Sequence, residues 1–160
     1  MPVGSPGATA AARPTALASP SITPPAPTAT AVSYVCPYVT LDEIAAITGR
    51  VVLKAKEQVG GLCAWTLGAR LGGLAGEPVF GWLRPWQAPA DADLFRGNYQ
   101  TVPQSWREPS VGDGAYWQTD ELSFLYKDKV YSTEYNDPAL AEADLRTICV
   151  AIAKAALPRL

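Results

Sequence analysis

From Val39 onward the hydrophobic positions fall into short segments with readable periods, whereas the residues before it show none. Val39-Thr40-Leu41-Asp42-Glu43-Ile44 opens a helix. Thr40 is placed to cap it, Glu43 to complete a capping box, and Val39 with Ile44 to form a hydrophobic staple. Asp42 and Glu43 suit the positive end of the helix dipole, Ile44 and Ile47 share a face, and Gly49 supplies the stop. Residues 51–57 alternate and predict a strand, Gly60-Gly61 its turn, and residues 62–67 the returning strand. Cys63, Trp65 and Leu67 then share one face by period-two geometry, the face expected to meet the core. Residues 78–84 suggest a third strand with Phe80 and Trp82 together on one side. A short helix over residues 90–96 is expected to close at Gly97.

Residues 98–114, with Pro103 and Pro109, read as a long loop. Three further strands follow at residues 115–117, 122–126 and 129–135. They are separated by the turns Thr119-Asp120 and Lys127-Asp128, the pattern of an antiparallel meander. Asp137-Pro138 then reads as the cap and first turn of a final helix. Leu145, Ile148, Cys149, Ile152 and Ala156 form one stripe on it, and Pro158 ends it. The predicted class is α+β: a twisted antiparallel sheet of about six strands, with a short N-terminal helix and a long C-terminal helix packed on one face.

Residues 1–33 differ in kind. They are almost wholly Ala, Pro, Thr, Ser and Gly, carry nearly half of the fifteen prolines, and have Arg13 as their one charge. Too few large apolar side chains are present to offset ordering entropy, so a flexible Pro/Ala/Thr-rich tether is expected, followed by a single domain over residues 34–160. Its roughly 125 residues suffice for a real core. A signal peptide would need a basic start and an apolar run, and neither is visible; if the protein is exported, its signal is expected to have been removed or to lie upstream.

Charge and residue types narrow the chemistry. The net charge is −2, which offers no basic patch for nucleic acid, and no apolar run nears the ~18 residues that would span a bilayer. Histidine is absent, which removes Ser-His-Asp and Cys-His arrangements and most zinc sites. No metal or cofactor is expected. The three cysteines have no Cys-x-x-Cys spacing. A Cys36–Cys63 bridge is the favoured pairing; it would tie the first helix to the sheet through a loop of about 28 residues. Cys149 is either an ordinary buried thiol or an alternative partner for Cys36.

The run Cys36-Pro-Tyr-Val-Thr-Leu-Asp-Glu-Ile-Ala-Ala-Ile-Thr-Gly49, then Cys63-Ala-Trp65, then Val111-Gly-Asp-Gly-Ala-Tyr-Trp117, resembles small actinobacterial secreted lipoproteins of a domain-of-unknown-function family. These look related to the extracellular sensor domains of mycobacterial membrane serine/threonine kinases. The resemblance covers the chain from Cys36 to its end. It implies export, a disulfide and a twisted antiparallel sheet flanked by helices around a cleft, and it carries no catalytic residues. The lipidated cysteine usual ahead of the tether in that family is missing from this sequence.

Trp82, Arg84 and Trp86, with Trp106 and Arg107 from the long loop, are the candidate ligand-binding residues. Indole faces stack on flat ligands and sugar rings, and guanidinium forks match carboxylates and phosphates. The competing reading places these tryptophans in the core or at its rim. Gly112-Asp113-Gly114 lacks the Lys and following helix of a phosphate loop and reads as a turn. Asp91 and Asp93 read as a solvated helix start. The expectation is an extracytoplasmic, non-enzymatic cell-envelope module that binds or senses a small molecule, lipid or wall fragment. The alternative is a structural protein that docks on another envelope protein through its sheet; a hydrolase would need a cleft carboxylate with a strongly raised pKa.

Overall fold

The computed structural model describes Met1 and residues 36–70, 77–88 and 90–160. The predicted tether over residues 1–33 lies, Met1 apart, outside the described residues. The order of elements is α1 (Leu41–Thr48), β1 (Arg50–Gln58), β2 (Leu62–Arg70), β3 (Val79–Pro85), α2 (Asp91–Thr101), β4 (Arg107–Glu108), β5 (Gly114–Gln118), β6 (Glu121–Tyr126), β7 (Lys129–Asn136) and α3 (Glu142–Ala156). Short 3-10 turns at Gln104–Trp106 and Leu157–Arg159 precede β4 and follow α3. Among the described residues no helix is long and apolar enough to cross a membrane.

The class is α+β, built on one antiparallel sheet in the order β1-β2-β3-β7-β6-β5-β4. It has seven strands rather than about six, because the two-residue β4 pairs with β5 inside the segment expected to be loop. α1 forms where its caps dictate. The Thr40 hydroxyl accepts from the Glu43 N–H at 3.2 Å, the Glu43 carboxylate accepts from the Thr40 N–H at 2.8 Å, and Gly49 turns left-handed at φ 65°. The tight Gly60-Gly61 turn also needs positive φ at both residues, 84° and 77°.

Strand alternation sorts the side chains onto two faces. Cys63, Trp65, Leu67 and Leu83 join Trp117, Phe124 and Tyr135 on the inner face, which α1 and α3 cover with Ile44, Cys149, Ile152 and Ala156. Leu145 and Ile148 of the predicted stripe lie half-buried at the margin of this core. Cys36 is bonded to Cys63 with Cα atoms 5.6 Å apart, and Cys149 is a free, buried thiol. The bridge fastens the segment that leads into α1 to the second strand.

Three expectations change. The helices do not all pack on one face: α2 lies across the outer face, where Phe95 packs with Tyr116, Leu125 and Val130. Nor does α2 stop at Gly97. That residue keeps a helical φ, and the helix runs on to Thr101, giving Phe95 and Tyr99 a stacked pair at 5.9 Å. Asp137 does not cap the last helix, which starts at Glu142. Its carboxylate is instead buried against Arg50, accepting from Nη2 at 2.6 Å and Nε at 3.1 Å. Arg50 Nη1 also donates to the Gly68 carbonyl at 2.7 Å.

Candidate functional site

Because α2 crosses only the β5-β6-β7 half, none of the described helices lies over the outer face of β1-β2-β3. Period-two geometry turns Val79, Gly81 and Leu83 inward, and Phe80, Trp82 and Arg84 outward. The register sets Phe80 beside Thr66, and Trp82 between Ala64 of β2 and Glu134 of β7. Small residues on β2 therefore leave a floor between larger side chains. Lys54 and Lys56 of β1 stand opposite Thr66 and Ala64 and border the other side. The result is an open depression of about 580 Å³, lined by Lys54, Lys56, Leu62, Ala64, Phe80 and Trp82 among others.

Arg84 lies next along the strand. Its guanidinium carbon sits 4.7 Å from the centre of the Trp82 ring, and its Nη2 is 3.8 Å from the Glu121 carboxylate. Trp86 follows the strand end. Its backbone N–H donates to the Val130 carbonyl at 2.8 Å and its indole N–H to the Ser132 hydroxyl at 2.6 Å, which fixes the ring at the border between the α2 cluster and the open half. Arg84 and Trp86 together line two shallower depressions, of about 440 and 390 Å³, on either side of them.

Charge is graded across the strands. The lysines stand on β1, while Glu134 and Glu121 stand paired on β7 and β6. Burial raises the Glu134 carboxyl above its ordinary pKa, and the Asp120 charge adds to this while the Trp82 indole opposes it. Among the described residues no group of three or more metal-ligating side chains could hold an ion.

Trp82, Arg84 and Trp86 are thus brought together on one exposed surface, half-buried or exposed and outside the inner core. Trp106 and Arg107 do not join them. They lie at the β4 edge, with β7, β6 and β5 between them and β3. Arg107 is committed there: its Nη2 donates to the carbonyls of Gln100 and Val102, and its guanidinium lies 5.2 Å from the Tyr99 ring centre, so it anchors the end of α2. Trp106 is 43% exposed on that edge. Asp91 is used locally, accepting from the Ala88 N–H at 2.6 Å, and Asp93 pairs with Arg96. Asp113 likewise serves its turn, accepting from the Lys127 N–H at 3.0 Å.

Sequence reasoning missed Lys54, Lys56 and Ala64. The signal for them lay in the hairpin register: a turn at Gly60-Gly61 brings Ala64 opposite Lys56, on the same face as Trp82. Compared with known proteins, the chain matches no protein-family model, no curated protein and no solved structure.

Proposed function

We propose that residues 34–160 form an extracytoplasmic cell-envelope module that binds or senses a ligand without chemical turnover. The observation that carries this reading is the grouping of Trp82, Arg84 and Trp86 on the half of the sheet that α2 leaves uncovered, beside a depression of about 580 Å³. That volume falls within the roughly 300–1,000 Å³ range of small-molecule sites, and an apolar wall with a few convergent polar groups is their usual composition. Export is supported by the Cys36–Cys63 bridge, since disulfides persist in oxidising compartments, by the Pro/Ala/Thr-rich first 33 residues, and by the resemblance to actinobacterial secreted lipoproteins.

The test is calorimetric titration of the full chain with soluble wall fragments, such as a disaccharide-tetrapeptide, and with envelope lipids. Binding should weaken at least about tenfold in Trp82→Ala and Arg84→Ala. Binding that both substitutions leave untouched would reject this face as the site.

A second reading is favoured by one observation, the 60% exposure of Phe80 on the same face. In it, this half of the sheet docks on another envelope protein. A photoreactive residue at position 80 would then crosslink to one protein partner in intact envelopes, whereas a ligand site would give none.

A further inference from the structure

The depression has a polarity that identifies its occupant more narrowly than the grouping of Trp82, Arg84 and Trp86 does. We infer that the outer face of β1-β2-β3 binds a single-chain amphiphile, its acyl chain lying over Ala64 and Thr66 against Phe80 and Trp82 and its anionic head group between Lys54 and Lys56. This rests on the reading of that face as the binding surface.

Three features lead to this. The floor is apolar and shallow because β2 contributes Leu62, Ala64 and Thr66, while Phe80 and Trp82 form a wall on the β3 side. From the β1 lysines across β2 to Phe80 and Trp82 on β3 the face spans roughly 10 Å, at about 4.8 Å between neighbouring strands, room for most of a medium-length acyl chain. Phe80 is 60% exposed, an apolar surface that a bound chain would remove from water.

Charge then orients the occupant. Lys54 and Lys56 lie on the same face of β1, exposed, and neither has a carboxylate within ion-pair distance among the described residues. Across the apolar strip stand Glu134 and Glu121, with Arg84 already drawn toward Glu121 at 3.8 Å. An anionic head is therefore attracted at the β1 side, where Lys54 and Lys56 line the depression, whereas Arg84 on the far side is engaged by Trp82 and Glu121. Two ammonium groups that alternate along a strand, with apolar surface directly beside them, suit one anionic group at the end of one chain.

The experiment is titration of the full chain with dodecanoate below its micellar concentration, followed by calorimetry and tryptophan fluorescence. Dodecyltrimethylammonium and an uncharged dodecyl maltoside serve as controls. Saturable one-to-one binding of dodecanoate is expected, weakened about five- to tenfold in the exposed-edge variant Lys54→Glu/Lys56→Glu, and both control amphiphiles should bind more weakly than dodecanoate. Ala64→Leu should weaken dodecanoate binding by filling the floor, with its folding checked by circular dichroism. Equal binding of all three amphiphiles, no binding of dodecanoate, or indifference to the lysine reversal would overturn the inference. Binding to anionic phospholipid vesicles without binding of monomeric dodecanoate would also overturn it, and would make the face a membrane-docking surface. A wall fragment that still binds through Trp82 and Arg84 when dodecanoate does not would sink the amphiphile and leave the broader reading standing.

Discussion

Arg50 and Asp137, separated by 87 positions in sequence, meet as a buried ion pair with Nη2 and Oδ2 2.6 Å apart. The contact joins the first strand to the segment leaving β7, and the Gly68 carbonyl takes a further guanidinium N–H. Asp137 is 1% exposed and Arg50 is 6% exposed, so loss of the carboxylate would strand the Arg50 guanidinium away from water, whereas the carboxylate also has Arg70 Nη2 at 3.8 Å. Asp137→Ala is expected to destabilise the fold by about 3–5 kcal/mol, measured by urea denaturation. Replacing both partners, as Arg50→Met with Asp137→Leu, should recover most of that loss. A double variant as unstable as the single one would mean that the pair supplies more than mutual neutralisation.

The bridge and the free thiol should separate cleanly in chemical tests. Reduction of Cys36–Cys63, or Cys36→Ser with Cys63→Ser, is expected to cost roughly 3–4 kcal/mol, the chain entropy of a loop of this length. Cys149 should resist alkylation in the folded protein at pH 8. Burial pushes its thiol up to about 12, so almost no thiolate is present. One reactive thiol per unreduced folded molecule, counted by mass spectrometry after brief iodoacetamide treatment, would contradict this.

Acid should weaken the start of α1 in a defined window. The Arg159 guanidinium first, and the Thr40 N–H second, hold the Glu43 carboxyl at about 2 against an ordinary 4.5. A carboxyl depressed on folding stabilises the fold above its unfolded pKa and loses that contribution as pH falls toward its folded one. The unfolding midpoint of Glu43→Gln should therefore lie below that of the parent protein at pH 7, and the gap should close between about pH 4.5 and 2. Thr40→Ala, which removes the reciprocal cap, should cost about 1 kcal/mol at neutral pH.

Gly112 is set by backbone geometry. Its φ is 56°, and a Cβ there would run into the Leu125 carbonyl oxygen of the neighbouring strand. Gly112→Ala is expected to lower stability by about 2–3 kcal/mol, seen as a drop in Tm. Gly97→Ala, in a helical conformation with open space at the Cβ position, should leave Tm unchanged or raise it slightly.

Local chemistry explains what was legible in the sequence. α1 could be placed because Thr40, Glu43 and Gly49 act on each other within a few residues. The meander could be placed because the short polar turns Thr119-Asp120 and Lys127-Asp128 separate its apolar segments. Alternation put Cys63, Trp65 and Leu67 on the core face and grouped Phe80 with Trp82 on one side of their strand. What escaped depends on partners distant in sequence. Asp137 followed by Pro138 has the composition of a helix start, and only Arg50 turns it into an ion-pair partner. Gly97 has the composition of a stop, yet the stacking of Tyr99 on Phe95 carries the helix past it. Arg107 follows a tryptophan as Arg84 does two residues later, and strand order alone puts one at the β4 edge and the other in the open half.

The partial cover that α2 gives the outer face divides the sheet into two regions with different tolerance for change. Over β5-β6-β7 the outward Tyr116, Leu125 and Val130 pack with Phe95, so a substitution at any of them disturbs the seating of α2. Over β1-β2-β3 the outward side chains of Lys54, Lys56, Phe80 and Trp82 belong to neither apolar cluster. Those positions can therefore change without disturbing the packing of either core. The fold then acts as a fixed frame around one replaceable panel.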